Sequence, residues 1–401
     1  MTSRRTFLTH GLRDSTLIAL APTLPAFLAR TARAVDAQKD ERILVVLQLD
    51  GGNDGINTVV TLKDDGYAKH RRALRLPEKQ LIRITPEVGL HPAMGDAGRL
   101  LESGRLAIVP GVGYPNPDRS HFRSLEIWHS ARFDPLEHTG LGWIGRVLDG
   151  GPPPRDGAPP RSWSAPTRPR PPSGEAPSAA ALDRLDDYAL ADGKPDVPAG
   201  PGGEQAEFLR RSMLDAYAAA ERLESVARAA PSHAAYPESE LARKLSLAAR
   251  LIKSGLGTRI YYAIQRGYDT HYDQLPAHAR LLEELGGALR AFLDDLAAAG
   301  LAERVAVLCF SEFGRRVREN GTRGTDHGTA GTVLLAGPCV RPGLHGAYPS
   351  LTDLVDGDLR MTVDFRRVYA TVLESWLGLA SKEALMAPSN PAAPQWLIRA
   401  M

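Results

Sequence analysis

The chain has 401 residues, enough for one large α/β domain or two ordinary ones. Its 49 Lys and Arg stand against 47 Asp and Glu, a balance that gives no electrostatic case for nucleic acid or an anionic membrane surface. The apolar content of 43% is that of a globular protein, and two cysteines cannot build a disulfide framework.

The amino terminus reads as an address. Ser3-Arg4-Arg5-Thr6-Phe7-Leu8 is a twin-arginine motif, an apolar stretch runs from Leu17 to Ala29, and Ala32-Arg33-Ala34 supplies an A-x-A cleavage site. Pro22 and Pro25 interrupt the stretch, which is too short for a good spanning helix. Residues 1–34 are therefore expected to be a twin-arginine signal peptide, with mature protein beginning near Val35. Its partner would be the twin-arginine translocation machinery, and the product periplasmic or secreted, without stable membrane insertion. That route carries folded proteins, commonly loaded with a metal or cofactor beforehand.

Ile43 to Leu49 is a continuous apolar run broken only by Gln48, the pattern of a central parallel strand. It ends in Asp50-Gly51-Gly52-Asn53-Asp54-Gly55, where Asp50 could ligate a cation and the glycines could let backbone approach a ligand. The same run also suits an ordinary turn. His91-Pro92-Ala93-Met94 opens a helix before a second strand, Leu106 to Pro110. A proline-stiffened loop follows, and from Ser120 the spacing of Phe122, Leu125, Ile127 and Trp128 predicts a helix. Ser120 then fits two roles, a helix cap beside Asp118 or a nucleophile at a helix N-terminus. His121 is likewise divided between packing and a site.

From about 150 to 203 the chain is proline-rich with little to bury, which predicts an excursion containing a small ordered island at Leu182 to Leu190. Helical patterns cover Glu204 to Ala230 and Ser239 to Lys253, the second stopped by Gly255. Thr258 to Ile264 is a strand that delivers Asp269 and His271 after a turn at Gly267. An amphipathic helix from Ala279 to Ala299, after Pro276, leads to the strand Val305 to Phe310, which breaks at Ser311 and Glu312. A glycine-rich turn brings Asp326, His327 and Gly328 back to the same edge. Glu312 and His327, a hard oxygen and an imidazole, suit a divalent metal. Strand, acid, helix, strand, acid is a repeated crossover that predicts a shared edge for Asp269 and Glu312. Thr332 to Ala336 is another apolar strand; Val363 to Leu379 reads as a helix, with Arg366 and Arg367 solvated or paired. Cys309 belongs to the core, and Cys339 lies in a loop.

LQLDGGNDGINTVV, RSHF, GYDTH, FSEFGRR, GTDHG and DFRRVYATVLESWLG together resemble the bacterial family named domain of unknown function 1501, over about Arg42 to Gly378. That family resembles the alkaline phosphatase and sulfatase superfamily. The resemblance implies a single domain over 35–401, with a doubly wound, mostly parallel sheet flanked by helices. It also implies a metal-dependent hydrolase acting on a small anionic phosphate or sulfate ester. Carried over residue by residue, Asp50 matches the first metal aspartate, Ser120 the nucleophile, Asp269 the next acid and His327 the final histidine. Position 273 is Asp273 where the superfamily has a histidine, so His271 stands in. Glu312 takes the place of an aspartate and Phe313 that of a histidine or asparagine, which points to a single-metal or asymmetric site. The ion would be Zn, Mg, Ca or Mn, with His121 protonating the leaving group and Arg119 clamping the anion. The other reading is a non-catalytic, export-linked binding or scaffold protein on the same fold.

Overall fold

The computed structural model describes residues 17–20, 42–133, 142–144, 146, 179–181, 234–255, 259–385 and 397–399. The twin-arginine motif, the A-x-A site, most of the proline-rich excursion with its island, and the helical pattern from Glu204 to Ala230 lie outside the described residues.

A nine-stranded sheet forms the centre. In chain order its strands are β1 (Leu17–Leu20), β2 (Ile43–Asp50), β6 (Leu106–Gly113), β7 (Ala179–Ala181), β8 (Ile260–Arg266), β9 (Val305–Phe310), β10 (Gly331–Ala336), β11 (Gly343–Leu344) and β14 (Val363–Asp364). The missing numbers belong to a three-stranded antiparallel sheet, β3 (Val59–Thr61), β4 (Ile82–Thr85) and β5 (Val88–Leu90), and a hairpin, β12 (Leu354–Val355) and β13 (Asp358–Leu359). The spatial order is β11-β6-β10-β9-β2-β8-β1-β7, with β14 also pairing β6. Every pairing is parallel except the two made by β10, so the fold is mixed α/β with a mostly parallel sheet.

Side chains alternate between two cores, one on each face. Ile43, Val45, Leu47 and Leu49 of β2 enter one core, and Leu44 and Val46 enter the other. Val305, Val307 and Cys309 of β9 are divided in the same way from Ala306, Leu308 and Phe310. Burial on both faces is why these strands read as unbroken apolar runs. The first core is closed by α3 (Gly95–Glu102), α5 (Glu240–Lys253) and α6 (Gln274–Ala298). The second is closed by α4 (His121–Ser130) and α7 (Phe365–Thr371), where Trp128 stacks on Phe365 and Phe310 at 4.4 and 5.1 Å. Shorter helices α1 (Gly55–Thr58), α2 (Asp65–His70) and α8 (Ser381–Leu385) complete the set.

Several boundaries differ from the sequence reading. Helix α6 starts at Gln274, with Pro276 inside its first turn, where a missing N–H removes no helical bond. Val363–Asp364 extend β14 before Asp364 caps α7 by accepting from the Arg366 amide, and Val372–Trp376 continue as a π-helical turn. Arg366 is indeed paired, with Asp364 at 2.6 Å. Two segments expected to lie outside the fold join the sheet: Leu17–Leu20 runs parallel to β8, and Ala179–Ala181 pairs with β1. Both cysteines are free and buried. Among the described residues no helix is long and apolar enough to cross a membrane.

The strand directions decide what gathers at one edge. β2, β6, β8 and β9 all run the same way, so the residues after each emerge together. β10 runs opposite to β6 and β9, so its amino end returns to that edge directly, without a crossover.

Candidate metal centre

Four loops meet at this edge, and glycine permits their approach. The Tyr268 amide bonds the Asp50 carbonyl at 3.1 Å, which seats Asp269 against Gly51. A Cβ at Gly51, whose φ is +118°, would lie 2.4 Å from the Asp269 nitrogen; one at Gly52 would lie 2.3 Å from the Phe313 ring. The Gly-Gly pair thus admits the protein's own chain, where the sequence suggested room for a ligand. In the loop before β10, a Cβ at Gly324 would collide with the His271 backbone at 2.2 Å. Asn320 Nδ2 and Thr322 Oγ1 also donate to the His271 carbonyl at 2.9 and 2.6 Å.

Three histidines converge on Asp269. Each has its Nδ1 against an oxygen: His121 on Glu312 Oε1 at 2.8 Å, His271 on Asp326 Oδ1 at 3.3 Å, and His327 on the Arg119 carbonyl at 2.8 Å. A carbonyl or carboxylate can only accept, so these contacts put a proton on Nδ1 and leave Nε2 to meet either a second proton or a cation. The Nε2 atoms then face Asp269, at 3.6 Å for His121, 3.0 Å for His271 and 3.1 Å for His327. The Nε2 atoms of His271 and His327 are 2.9 Å apart. Donor atoms of His121, Asp269 and His327 all lie within 4.8 Å of one another. Neighbouring donors on a tetrahedral zinc lie about 3.4 Å apart, given bonds of about 2.1 Å. Nε2 atoms turned inward, each ring backed at Nδ1 by an outer oxygen, are the arrangement of metal-binding histidines. The donor set therefore fits one borderline cation such as zinc.

The remaining expected residues fall in other places. Glu312 is fully buried and already committed: Oε1 accepts from the Gly51 amide at 2.9 Å and from His121, and Oε2 from Ser311 Oγ at 3.1 Å. It orients His121 from outside the donor set. Asp50 accepts from Gln48 Nε2 at 2.8 Å and is not among the mutually close donors. Burial, then the nearby Glu312 charge, raises its carboxyl above the ordinary range. Phe313 takes up no donor position; its ring packs 4.9 Å from that of His121 and 4.8 Å from that of His327.

Arg315 was not marked out by the sequence, because two arginines in a polar turn resemble a solvated surface. It is instead buried, donating to the Gly52, Tyr268 and Thr325 carbonyls at 2.6, 3.0 and 2.8 Å, to Gly51 O, and to Asp269 Oδ1 at 2.7 Å. It ties three loops together and puts a permanent positive charge on Asp269. Burial works to raise the Asp269 carboxyl, but the hydrogen bond and charge of Arg315, with His327, outweigh it and hold it below the ordinary value. His121 is raised, first by its hydrogen bond to Glu312, against a smaller opposing effect of burial.

Ser120 is exposed at the N-cap position of α4, yet its side chain makes no capping hydrogen bond. The local turn is closed by Asp118, whose Oδ1 accepts from the Ser120 amide at 2.6 Å. The Arg119 guanidinium is held by buried Asp358, with Nε to Oδ2 at 3.0 Å.

Four residues past Asp50 the chain builds a different polar network. Asp54 pairs with Arg71, neither side chain exposed at all, and also accepts from Gln274 Nε2 at 2.5 Å. His278 Nε2 contacts Asn53 Oδ1 at 2.9 Å beside it.

Fold and site together define a mixed α/β protein with a histidine–aspartate cluster at the carboxyl edge of its sheet. The chain belongs to the family described as Protein of unknown function (DUF1501), whose model matches residues 110–389. No curated protein matches it.

Proposed function

We propose that the protein is an exported, metal-dependent hydrolase of phosphate or sulfate esters, on a fold of the alkaline phosphatase and sulfatase type. One observation carries the reading: three imidazoles, each pinned at Nδ1 by an oxygen, turn Nε2 toward a single carboxylate. Without a cation or protons between them these lone pairs would repel, so the cluster is built to hold positive charge. A bound divalent ion would supply charge neutralisation on an ester oxygen and ease ionisation of a nearby hydroxyl.

The protein's own groups would then act as follows. His121, Asp269 and His327 would hold the ion, with His271 beside them, while Glu312, Asp326 and the Arg119 carbonyl fix the imidazoles. Arg315 occupies Asp269 Oδ1, which favours one ion over two. Ser120 Oγ, free of capping, attacks phosphorus or sulfur; the ester bond to the alcohol breaks, and the proton lost by serine leaves with the alcohol. Water afterwards frees the serine. Arg119 is a weaker candidate for the anion clamp, since Asp358 already holds it.

The reading is tested by loading the folded protein with zinc or manganese and measuring bound metal and turnover of 4-nitrophenyl phosphate and sulfate. Wild type should bind about one ion, His327→Ala none, and Ser120→Ala should bind the ion without turnover. Absence of metal binding in wild type would defeat it. A binding or scaffold role is favoured by Arg315, which already neutralises Asp269; it predicts metal or anion binding without turnover.

Export by the twin-arginine route rests on Arg4, Arg5 and the Ala32-Arg33-Ala34 site. Replacing both arginines by lysine should abolish appearance of the protein in the periplasm. Leu17–Leu20 pairs with β8, so cleavage after Ala34 would free that edge.

A further inference from the structure

Asp358 is a buried carboxylate that the proposed chemistry does not use. It is the first residue of β13, returned by the two-residue turn Asp356-Gly357, whose φ values of 53° and 80° suit a tight hairpin. The residue is 1% exposed, a position where a carboxylate needs cations around it. Two come to it, from different elements. Arg119 donates Nε to Oδ2 at 3.0 Å and a second N–H to the same oxygen. Arg316 Nε lies 3.8 Å from Oδ1, near enough for its charge but not for a hydrogen bond, and Oδ1 has no hydrogen-bond partner.

The same two residues support two of the three imidazoles, and do so through their backbones. The Arg119 carbonyl accepts from His327 Nδ1 at 2.8 Å. The Arg316 amide donates to the Asp326 carbonyl at 3.0 Å, and Asp326 Oδ1 meets His271 Nδ1 at 3.3 Å. The hairpin also reaches the loop before β10, where Thr329 Oγ1 donates to the Leu359 carbonyl at 2.8 Å. His121 has a separate support in Glu312. Residues 115–120 are all exposed, so packing does little to fix the Arg119 carbonyl. The tie from its side chain to a buried carboxylate 239 positions away does more.

We infer that Asp358 is a positioning residue for the metal centre: through Arg119 and Arg316 it sets where the His327 and His271 rings point. The inference rests on the proposed metal site and adds the hairpin β12–β13 as its outer support. Asp358 itself bonds none of the imidazoles. Without its charge the Arg119 guanidinium turns to solvent, the loop that carries the Arg119 carbonyl relaxes, and His327 loses its fixed aim at Asp269. The route through Arg316 is weaker, because at 3.8 Å it works by charge alone. His271 therefore responds less than His327, and His121 not at all.

Asp358→Asn keeps the shape of the side chain and removes its charge. Two readouts are taken on the whole chain. NMR of the imidazole nitrogens in metal-free protein reports which nitrogen of each ring is protonated and hydrogen-bonded, and calorimetry gives the zinc affinity. In the variant His327 should lose its Nδ1 hydrogen bond, His271 should change less, and His121 should keep its bond to Glu312. Zinc should bind about tenfold more weakly, the lower end of what losing an outer partner costs a metal site. Arg119→Lys keeps the carbonyl but loses the paired donors, so it should reproduce the change at His327 and spare His271. It carries the test if Asp358→Asn does not fold. A lower unfolding midpoint with all three imidazoles and the zinc affinity as in wild type overturns the inference. Equal changes at all three imidazoles overturn it too, since His121 is held independently. If wild type binds no zinc the metal centre falls, and the metal-free imidazole signals still decide the role of Asp358.

Discussion

Asp50-Gly51-Gly52-Asn53-Asp54 borders two polar networks that differ in what they leave open. On one side Asp54, Arg71, Gln274 and His278 form a sealed set, with Asp54 and Arg71 wholly without exposure. Burial opposes ionisation of Asp54, but Arg71 outweighs it and holds the carboxyl at about 2. On the other side His121, Asp269, His271 and His327 are partly exposed and turn Nε2 atoms toward one carboxylate. The first network holds loops in place through the buried Asp54–Arg71 pair, although His278 Nδ1 finds no partner in it. The second is held in place by its surroundings, Glu312, Asp326, Arg119 and Arg315, and its side chains keep part of their surface exposed. A charged cluster becomes a candidate site when its outer bonds fix the rings and its inner atoms remain within reach of solvent.

The largest effect should come from breaking the sealed side. Arg71→Ala leaves Asp54 buried without its cation and should cost about 3–5 kcal/mol in urea unfolding. Metal-induced stabilisation of whatever remains folded should be unchanged, and loss of it would merge the two networks into one. On the open side, zinc at about one hundred times its dissociation constant should stabilise wild type by about 2.7 kcal/mol. That shift should vanish in His327→Ala, whereas retention of it would remove His327 from the donor set.

Acid should strike the buried histidines first. Burial lowers His91 to about 4 and both His129 and His278 to about 3, from an ordinary 6.5. Below pH 6.5 the unfolded chain takes up protons that the folded chain refuses. Their stabilisation is thus complete above that pH and is lost progressively as pH falls toward the folded-state values. Asp54 adds its own loss only between about 3.8 and 2, as its depressed carboxyl finally protonates. Stability that stays flat from pH 7 to 5 would show that these imidazoles are not held neutral. The smallest effect belongs to Ser120→Ala: a capping serine is worth about 1 kcal/mol, but this one caps nothing, so the change should stay under about 0.5 kcal/mol.

Much of this was legible along the chain. β2, β8, β9 and β10 announced themselves as apolar runs because both faces of each are buried, and Asp269, His271 and His327 were marked by the loops that follow or precede them. The division of labour among acids and imidazoles was not legible. Glu312 and Asp50 look like ligands at strand ends, yet Glu312 is taken up by the Gly51 amide and His121, and Asp50 by Gln48. His121 looked like a catalytic acid beside a nucleophile, and its ring turns out to share the cluster with His327. Arg315 gave no sign at all, since its partners are carbonyls contributed from positions 51, 52, 268 and 325.

The sequence by itself determined the class of fold, the strands and their order of chemistry-bearing ends, because periodicity and turn residues are local properties of the chain. Which donors face inward was decided only by tertiary structure. The reversed direction of β10 returns His327 to the edge, close-packed glycines press Asp269 and His271 into reach, and three separate oxygens choose which nitrogen of each ring faces inward. Each of these depends on atoms far apart in sequence, and no local pattern encodes them.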